Sequence, residues 1–150
     1  MYNPSIGSMT LTNTGTIKNN ASGTNKSTIY NAASTASINN SGTIQNFDSS
    51  GPAITNSSTI STLSNSGTIS GSDAIYNIGT ITNLINSGTI SNTSRVGIYN
   101  WHTITTLTNN VGGVISGSGS LGAIFNQNST IVTFNNAQGG DSSSASKTAL

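Results

Sequence analysis

Ala53-Ile54-Thr55-Asn56-Ser57-Ser58-Thr59-Ile60-Ser61-Thr62-Leu63-Ser64-Asn65-Ser66-Gly67-Thr68-Ile69 is followed, four residues later, by a near copy of itself over residues 74–90. A looser copy covers residues 28–44, two longer ones begin at Gly97 and Ala123, and a half copy spans residues 11–17. The starts at 28, 53, 74, 97 and 123 are separated by 25, 21, 23 and 26 residues. A repeat of this length that carries no helical periodicity is the mark of a stacked solenoid.

Within each copy an apolar residue is followed two positions later by Asn or Gly. Ile54-Thr55-Asn56, Leu63-Ser64-Asn65 and Ile69-Ser70-Gly71 are answered by Ile75-Tyr76-Asn77, Leu84-Ile85-Asn86 and Ile90-Ser91-Asn92. Side chains alternate faces along a strand, so the apolar residue and the Asn point the same way and the middle residue points opposite. Ile and Leu have to face inward, because little else here can form a core. Each inward Asn then ends its strand at a corner, where it is expected to take left-handed backbone angles and to bond the turn with its amide. Strand one is the Ala-Ile-Tyr-Asn unit, strand two Thr-Ile-x-x-Leu and strand three Gly-Thr-Ile-Ser. Length varies between strand three and the next strand one, at 47–52, 92–96 and 117–122, as a surface loop permits.

Stacking such coils predicts two inner columns, Ile17, Ile44, Ile69, Ile90 and Ile115, and Ile29, Ile54, Ile75, Ile98 and Ile124. It also predicts an inner amide ladder of Asn40, Asn65, Asn86 and Asn110, each side chain bonding that of the next coil. One coil buries too little to offset the entropy of ordering it, so neighbouring coils have to fold together.

Composition narrows the function classes. Charged residues make up 5% of the 150, there is no Glu, and the net charge is +1. Lys18, Lys26, Arg95 and Lys147 form no stripe, so there is no field to steer nucleic acid or an acidic membrane. The scarcity of Lys, Arg and Glu, the usual helix-surface residues, also argues against helices. Without Cys, disulfides and thiolate metal sites are excluded, a usage compatible with export. Met1-Tyr2-Asn3-Pro4-Ser5 has neither a basic region nor an apolar run, so no signal peptide or membrane span is expected. If extracellular, the chain is expected to be a processed segment or to leave by a route that needs no N-terminal signal.

Asn-Ser-Gly-Thr-Ile at 40–44, 65–69 and 86–90, joined to Ala/Gly-Ile-Tyr-Asn at 74–77 and 97–100, resembles the β-helical passenger repeats of bacterial autotransporters and related haemagglutinin-like surface proteins. The resemblance covers roughly residues 9–136. It implies a secreted or surface-exposed stalk, often an adhesin, and says little about activity because such repeats carry varied functions. The expected fold is all-β: a single-stranded right-handed parallel β-helix, or β-solenoid, of about five to six coils of 21–26 residues with three short strands per coil. Residues 1–8 read as an N-terminal edge segment, 9–136 as the solenoid and 137–150 as a Ser-rich tail.

Candidate sites are few. His102 is the only His, and Asp48, Asp73 and Asp141 are the only acids. Asp48 and Asp73 fall at similar points of successive corner loops, a conceivable carboxylate pair, but Asp in a Gly/Ser-rich turn is normally turn chemistry. No catalytic residue, metal site or cofactor is assigned, and the chain reads as non-enzymatic. Tyr30, Tyr76, Tyr99 and Phe125 share one outward repeat position, interrupted by Thr55, with Trp101 at the following corner. Stacked aromatics can bind sugar rings or a partner protein; alternatively they strengthen the sheet as same-face neighbours. Outward Thr80, Thr82, Thr103 and Thr105 form a third face, resembling that of ice-binding solenoids or reflecting the β-propensity of Thr.

Open strand edges at the two ends leave two further alternatives, a segment cut from a longer solenoid or coils that stack end to end. The expected partners are therefore the chain itself, end to end or laterally, or a cell-surface glycan or protein, with no nucleic acid and no direct membrane insertion. The expected location is extracellular or on a bacterial cell surface.

Overall fold

A computed structural model describes residues 1–3, 7–20, 26–32 and 35–137, which form seventeen short strands, numbered in chain order, and no helix among them. The strands fall into three sheets. Sheet one holds β1 (Tyr2–Asn3), β4 (Ile29–Asn31), β7 (Ile54–Asn56), β10 (Ile75–Asn77), β13 (Ile98–Asn100) and β16 (Ile124–Asn126). Sheet two holds β2 (Ser8–Asn13), β5 (Thr35–Asn40), β8 (Thr59–Asn65), β11 (Thr80–Asn86), β14 (Thr103–Asn109) and β17 (Thr130–Asn136). Sheet three holds β3 (Thr16–Asn19), β6 (Thr43–Asn46), β9 (Thr68–Gly71), β12 (Thr89–Asn92) and β15 (Val114–Ser116). Each strand pairs in parallel with its counterpart one coil away, as in β7 with β10 and β8 with β11. The chain is a three-sheeted β-solenoid of about five coils.

Repeat spacing and register agree. Partners in sheet one lie 25, 21, 23 and 26 residues apart from Asn31 through Asn126. Ile29, Ile54, Ile75, Ile98 and Ile124 stand in one column, and Ile17, Ile44, Ile69, Ile90 and Ile115 in another. Interior members are fully buried; Ile17 and Ile124, towards the two ends, are half-buried. A middle coil contributes Ile75, Ile81, Leu84 and Ile90 to one continuous core. The variable segments 47–52 and 117–122 lie between sheet three and sheet one, as does the stretch that follows Asn92.

Strand two alternates strictly in β2 and in β5 over Ala36, Ile38 and Asn40, and departs from alternation from β8 onward. In β11, Ile81 and Leu84 both face the core with Thr82 and Asn83 between them. The strand therefore bends in its middle, and the same interval separates Ile60 from Leu63 and Ile104 from Leu107. This bend makes a corner that uses no inward Asn.

The other corners run on Asn and Gly. Asn13, Asn40, Asn65, Asn86, Asn109 and Asn136 form a continuous ladder in which each Nδ2 donates to the next Oδ1 at 2.7–2.9 Å. Asn109, not Asn110, is the fifth rung. Asn109 follows the inward Leu107 by two residues and so shares its face, whereas Asn110 belongs to the turn that accepts from Gly113 N at 2.9 Å. A second ladder, absent from the sequence reading, joins Asn31, Asn56, Asn77, Asn100 and Asn126 at the end of sheet one. The inward Asn residues that end the strands do not take the left-handed angles expected of them. Asn128, at φ 49°, is the only non-glycine with positive φ among the described residues.

Glycine in Asn-Ser-Gly-Thr-Ile answers a different need. A Cβ on Gly67 would lie 2.0 Å from the Gly42 carbonyl oxygen, and one on Gly88 would lie 2.2 Å from that of Gly67. Backbones of successive coils approach too closely there for any side chain. The close approach lets Thr68 N donate to Gly42 O at 2.8 Å and Thr89 N to Gly67 O at 2.8 Å. Most of the C-terminal tail read at 137–150 and part of the N-terminal edge segment lie outside the described residues.

Candidate functional site

The site grows from sheet one. Its interior strands are three residues long, and the middle residue points away from the core between an inward Ile and an inward Asn. Tyr2 therefore stands beside Tyr30, and Tyr76 beside Tyr99 beside Phe125. Thr55 holds the same rank between Tyr30 and Tyr76. Where the column is continuous its rings touch. Centroids are 5.5 Å apart for Tyr2–Tyr30, 5.5 Å for Tyr76–Tyr99 and 5.0 Å for Tyr99–Phe125. Trp101, just past the corner, turns back to stack on Tyr99 at 5.9 Å and 13° between planes.

Outward does not mean open at every position. Tyr99 is only 6% exposed. Tyr76 and Phe125 flank it, Trp101 lies against it, and the Arg95 guanidinium carbon sits 5.1 Å from its ring centroid. Its hydroxyl donates to Gln127 Oε1 at 2.5 Å. Tyr99 is thus the packed centre of a cluster, consistent with the same-face role weighed for this column. Trp101, by contrast, is 44% exposed.

The short Thr55 side chain leaves a notch in the column, a cavity of about 340 Å³. Tyr30 and Tyr76 line it from the two neighbouring ranks, and Ile78 and Trp101 extend its apolar wall. Asp73 and Arg95 bring charge to it, and Ser27 brings a hydroxyl that shares a 2.5 Å hydrogen bond with Thr55 Oγ1.

Asp73 and Arg95 lie in corner segments one coil apart. Arg95 Nη1 donates to Asp73 Oδ2 at 2.9 Å; the Arg95 side chain is 46% exposed and that of Asp73 1%. Asp73 Oδ1 and Ser72 Oγ are buried without a hydrogen-bond partner among the described residues. Burial pushes the Asp73 carboxyl above its ordinary 3.8, against the opposing pull of Arg95 and of the Val96 backbone. Burial also raises the Tyr76 phenol, with Tyr99 and Asp73 adding to the rise and Arg95 opposing it, so this wall of the notch stays uncharged.

The other candidate residues are placed as follows. Asp48 caps its own turn, its Oδ1 accepting from Ser50 N at 2.9 Å and Ser50 Oγ at 2.8 Å, while Asp73 is buried, so the two carboxyls sit in unlike environments. His102 is exposed at a corner. Asp141 lies outside the described residues. Among the described residues no three His, Cys, Asp or Glu gather as metal ligands would. Thr80 and Thr103 stand in direct register within a rank that also includes Thr59 and Thr130, and Thr82 and Thr105 follow two positions on, where Thr82 is exposed and Thr105 half-buried.

In sequence, Thr55 is an interruption of the ring column and Arg95 one of four scattered cations; in the structure they floor and rim one cavity. The signal was present: one copy lacks the ring its neighbours carry, and the chain's single Arg lies one coil after a corner Asp. Fold and site together define a parallel β-solenoid bearing an aromatic-walled notch at Thr55. In comparisons with known proteins, no family model, no curated protein and no solved structure matches the chain.

Proposed function

We propose that this chain is a non-enzymatic structural β-solenoid, a rigid segment of an extracellular stalk or adhesin of a bacterial surface protein. The observation that carries the reading is the parallel pairing of equivalent strands in three sheets, with the Asn ladder running from Asn13 to Asn136 across a register shift between Ala36 and Ser37. Such a rod gains length by about 4.8 Å per coil and repeats the same contacts each time, as a spacer requires. The likeness of Asn-Ser-Gly-Thr-Ile to passenger repeats supports placing it outside the cell. Antibody labelling of intact native cells tests this: surface label is expected, and label that appears only after lysis overturns it.

A second reading, end-to-end assembly into filaments, is favoured by the matching character of the two end coils. Met9 and Leu11 are half-buried at one end and Ile131 and Phe134 at the other, all packed against the core. A further copy would bring Ile131 onto Met9, Phe134 onto Leu11 and Asn136 onto Asn13, with a one-residue bulge like that between Ala36 and Ser37. Electron microscopy of the purified chain separates the readings: filaments of uniform width support assembly, and discrete rods of roughly 25–30 Å exclude it. A role for the Thr face in binding ice would require thermal hysteresis.

A further inference from the structure

We propose that the notch at Thr55 binds one uncharged pyranose ring of a glycan, held between Tyr30 and Tyr76 with Trp101 beside it. The inference does not depend on the stalk reading, since a rod can bear or lack such a site.

The geometry comes from the missing ring. Tyr30 and Tyr76 lie two ranks apart in one sheet, with Thr55 between them. Two strand spacings are roughly 9–10 Å. A flat ring in contact with aromatic walls on both faces fills about 7–8 Å, so it would rattle there. A puckered saturated ring is thicker and fills the gap. Its C–H faces are apolar and suit the rings, while its rim of hydroxyls needs donors and acceptors within reach. At 340 Å³ the cavity stands at the small end of ligand sites, a size for one or two sugar rings.

The rim of the notch carries the polar groups. Arg95 gives one Nη1 hydrogen to Asp73 Oδ2 and is half exposed, which leaves guanidinium donors directed away from that bond. Asp73, 1% exposed, lines the same cavity and holds Arg95 in place through Oδ2. The Ser27–Thr55 hydroxyl pair adds a donor and acceptor between the two walls. Because Asp73 compensates Arg95 in place, an ionised ligand would find little net charge to pair with. The pair selects a polar, uncharged rim.

Trp101 is the only Trp of the chain and lines the cavity, so its fluorescence reports occupancy directly. The full chain is titrated with the methyl glycosides of glucose, galactose, mannose and N-acetylglucosamine, with N-acetylneuraminic acid and glucuronic acid as charged comparators. A saturable change is expected with at least one neutral glycoside, at a Kd on the order of 0.1–10 mM as befits one small ring. Tyr76→Ala is expected to weaken it at least tenfold. Thr55→Tyr completes the aromatic column and is expected to abolish binding while leaving the β-sheet circular dichroism and thermal midpoint intact. Silence from every neutral glycoside, tighter binding of the charged sugars, or binding that survives Thr55→Tyr each overturns the proposal. If Thr55→Tyr fails to fold, Thr55→Val replaces it: loss of the Thr55 hydroxyl must weaken binding at least threefold, and unchanged affinity overturns the assignment.

Discussion

Asn65 Nδ2 donates to Asn86 Oδ1 at 2.8 Å across the boundary between two coils, with both side chains buried. The same Nδ2 reaches Gly67 O at 3.2 Å and Thr89 O at 3.1 Å, and Asn65 Oδ1 accepts from Asn40 Nδ2 at 2.8 Å. One amide thus joins three coils and closes a corner. Replacing it by Ala leaves the Asn40 amide and the Asn86 oxygen short of a partner, at a cost of about 2–4 kcal/mol. Urea unfolding of Asn65→Ala should show that loss, while the exposed neighbour substitution Ser66→Ala should stay within about 0.5 kcal/mol.

Gly67 tests the packing of backbone on backbone. Because a Cβ there meets the Gly42 carbonyl at 2.0 Å, Gly67→Ala has to spread two coils and should cost about 3 kcal/mol or more. Gly15 holds the equivalent motif position in the half copy and has nothing within 4 Å of a Cβ among the described residues. Gly15→Ala should therefore be nearly silent in a thermal melt. Equal effects of the two substitutions would contradict the close approach.

Tyr99 should matter more to stability than Tyr76. Three rings and a guanidinium surround Tyr99, whereas Tyr76 touches one ring. Tyr99→Ala is expected to cost about 2–4 kcal/mol and to shift Trp101 emission to the red as its stacking partner is lost. Tyr76→Ala should cost roughly half as much or less, by the area it leaves uncovered. A Trp101 spectrum unchanged in Tyr99→Ala would refute the stacking.

Stability should fall as the pH rises from below 4 to neutral. Burial raises the Asp73 carboxyl above its ordinary 3.8, so the folded chain binds this proton more tightly than the unfolded chain does. The contribution is fully present below that ordinary value and is lost as the pH climbs through the raised one. Only three acids occur in the chain, so few other side-chain carboxyls overlay the profile. Asp73→Asn should flatten the thermal midpoint between pH 3 and 7, and Arg95→Gln should steepen its fall by removing the cation that opposes the shift. A midpoint that rises with pH in the unmutated chain, and does so through Asp73, would refute the assignment.

The repeat alone placed the Ile columns of strands one and three and the number of strands per coil, because stacking forces equivalent residues of successive copies into one rank; the strand-two column of Ile60, Ile81, Ile104 and Ile131 came with the structure. It misplaced one rung at the Asn109-Asn110 doublet. Counting back from the glycines picks Asn110, but face is decided by distance from the preceding inward residue, and Leu107 selects Asn109. The second ladder, from Asn31 to Asn126, was legible by the same rule and went unread.

Period-two alternation in strands one and three, the Ile-x-x-Leu interval of strand two and the 21–26-residue spacing between copies are properties of the chain as written, so they dictated the prism and its contents. Which outward residues meet was settled only when the coils were stacked. Arg95 reaches Asp73 and covers Tyr99 because loops of unequal length carry it there, and loop paths leave no periodic trace in sequence. The notch follows from the same cause: a single Thr among rings becomes a cavity only when the ranks above and below it are brought into register.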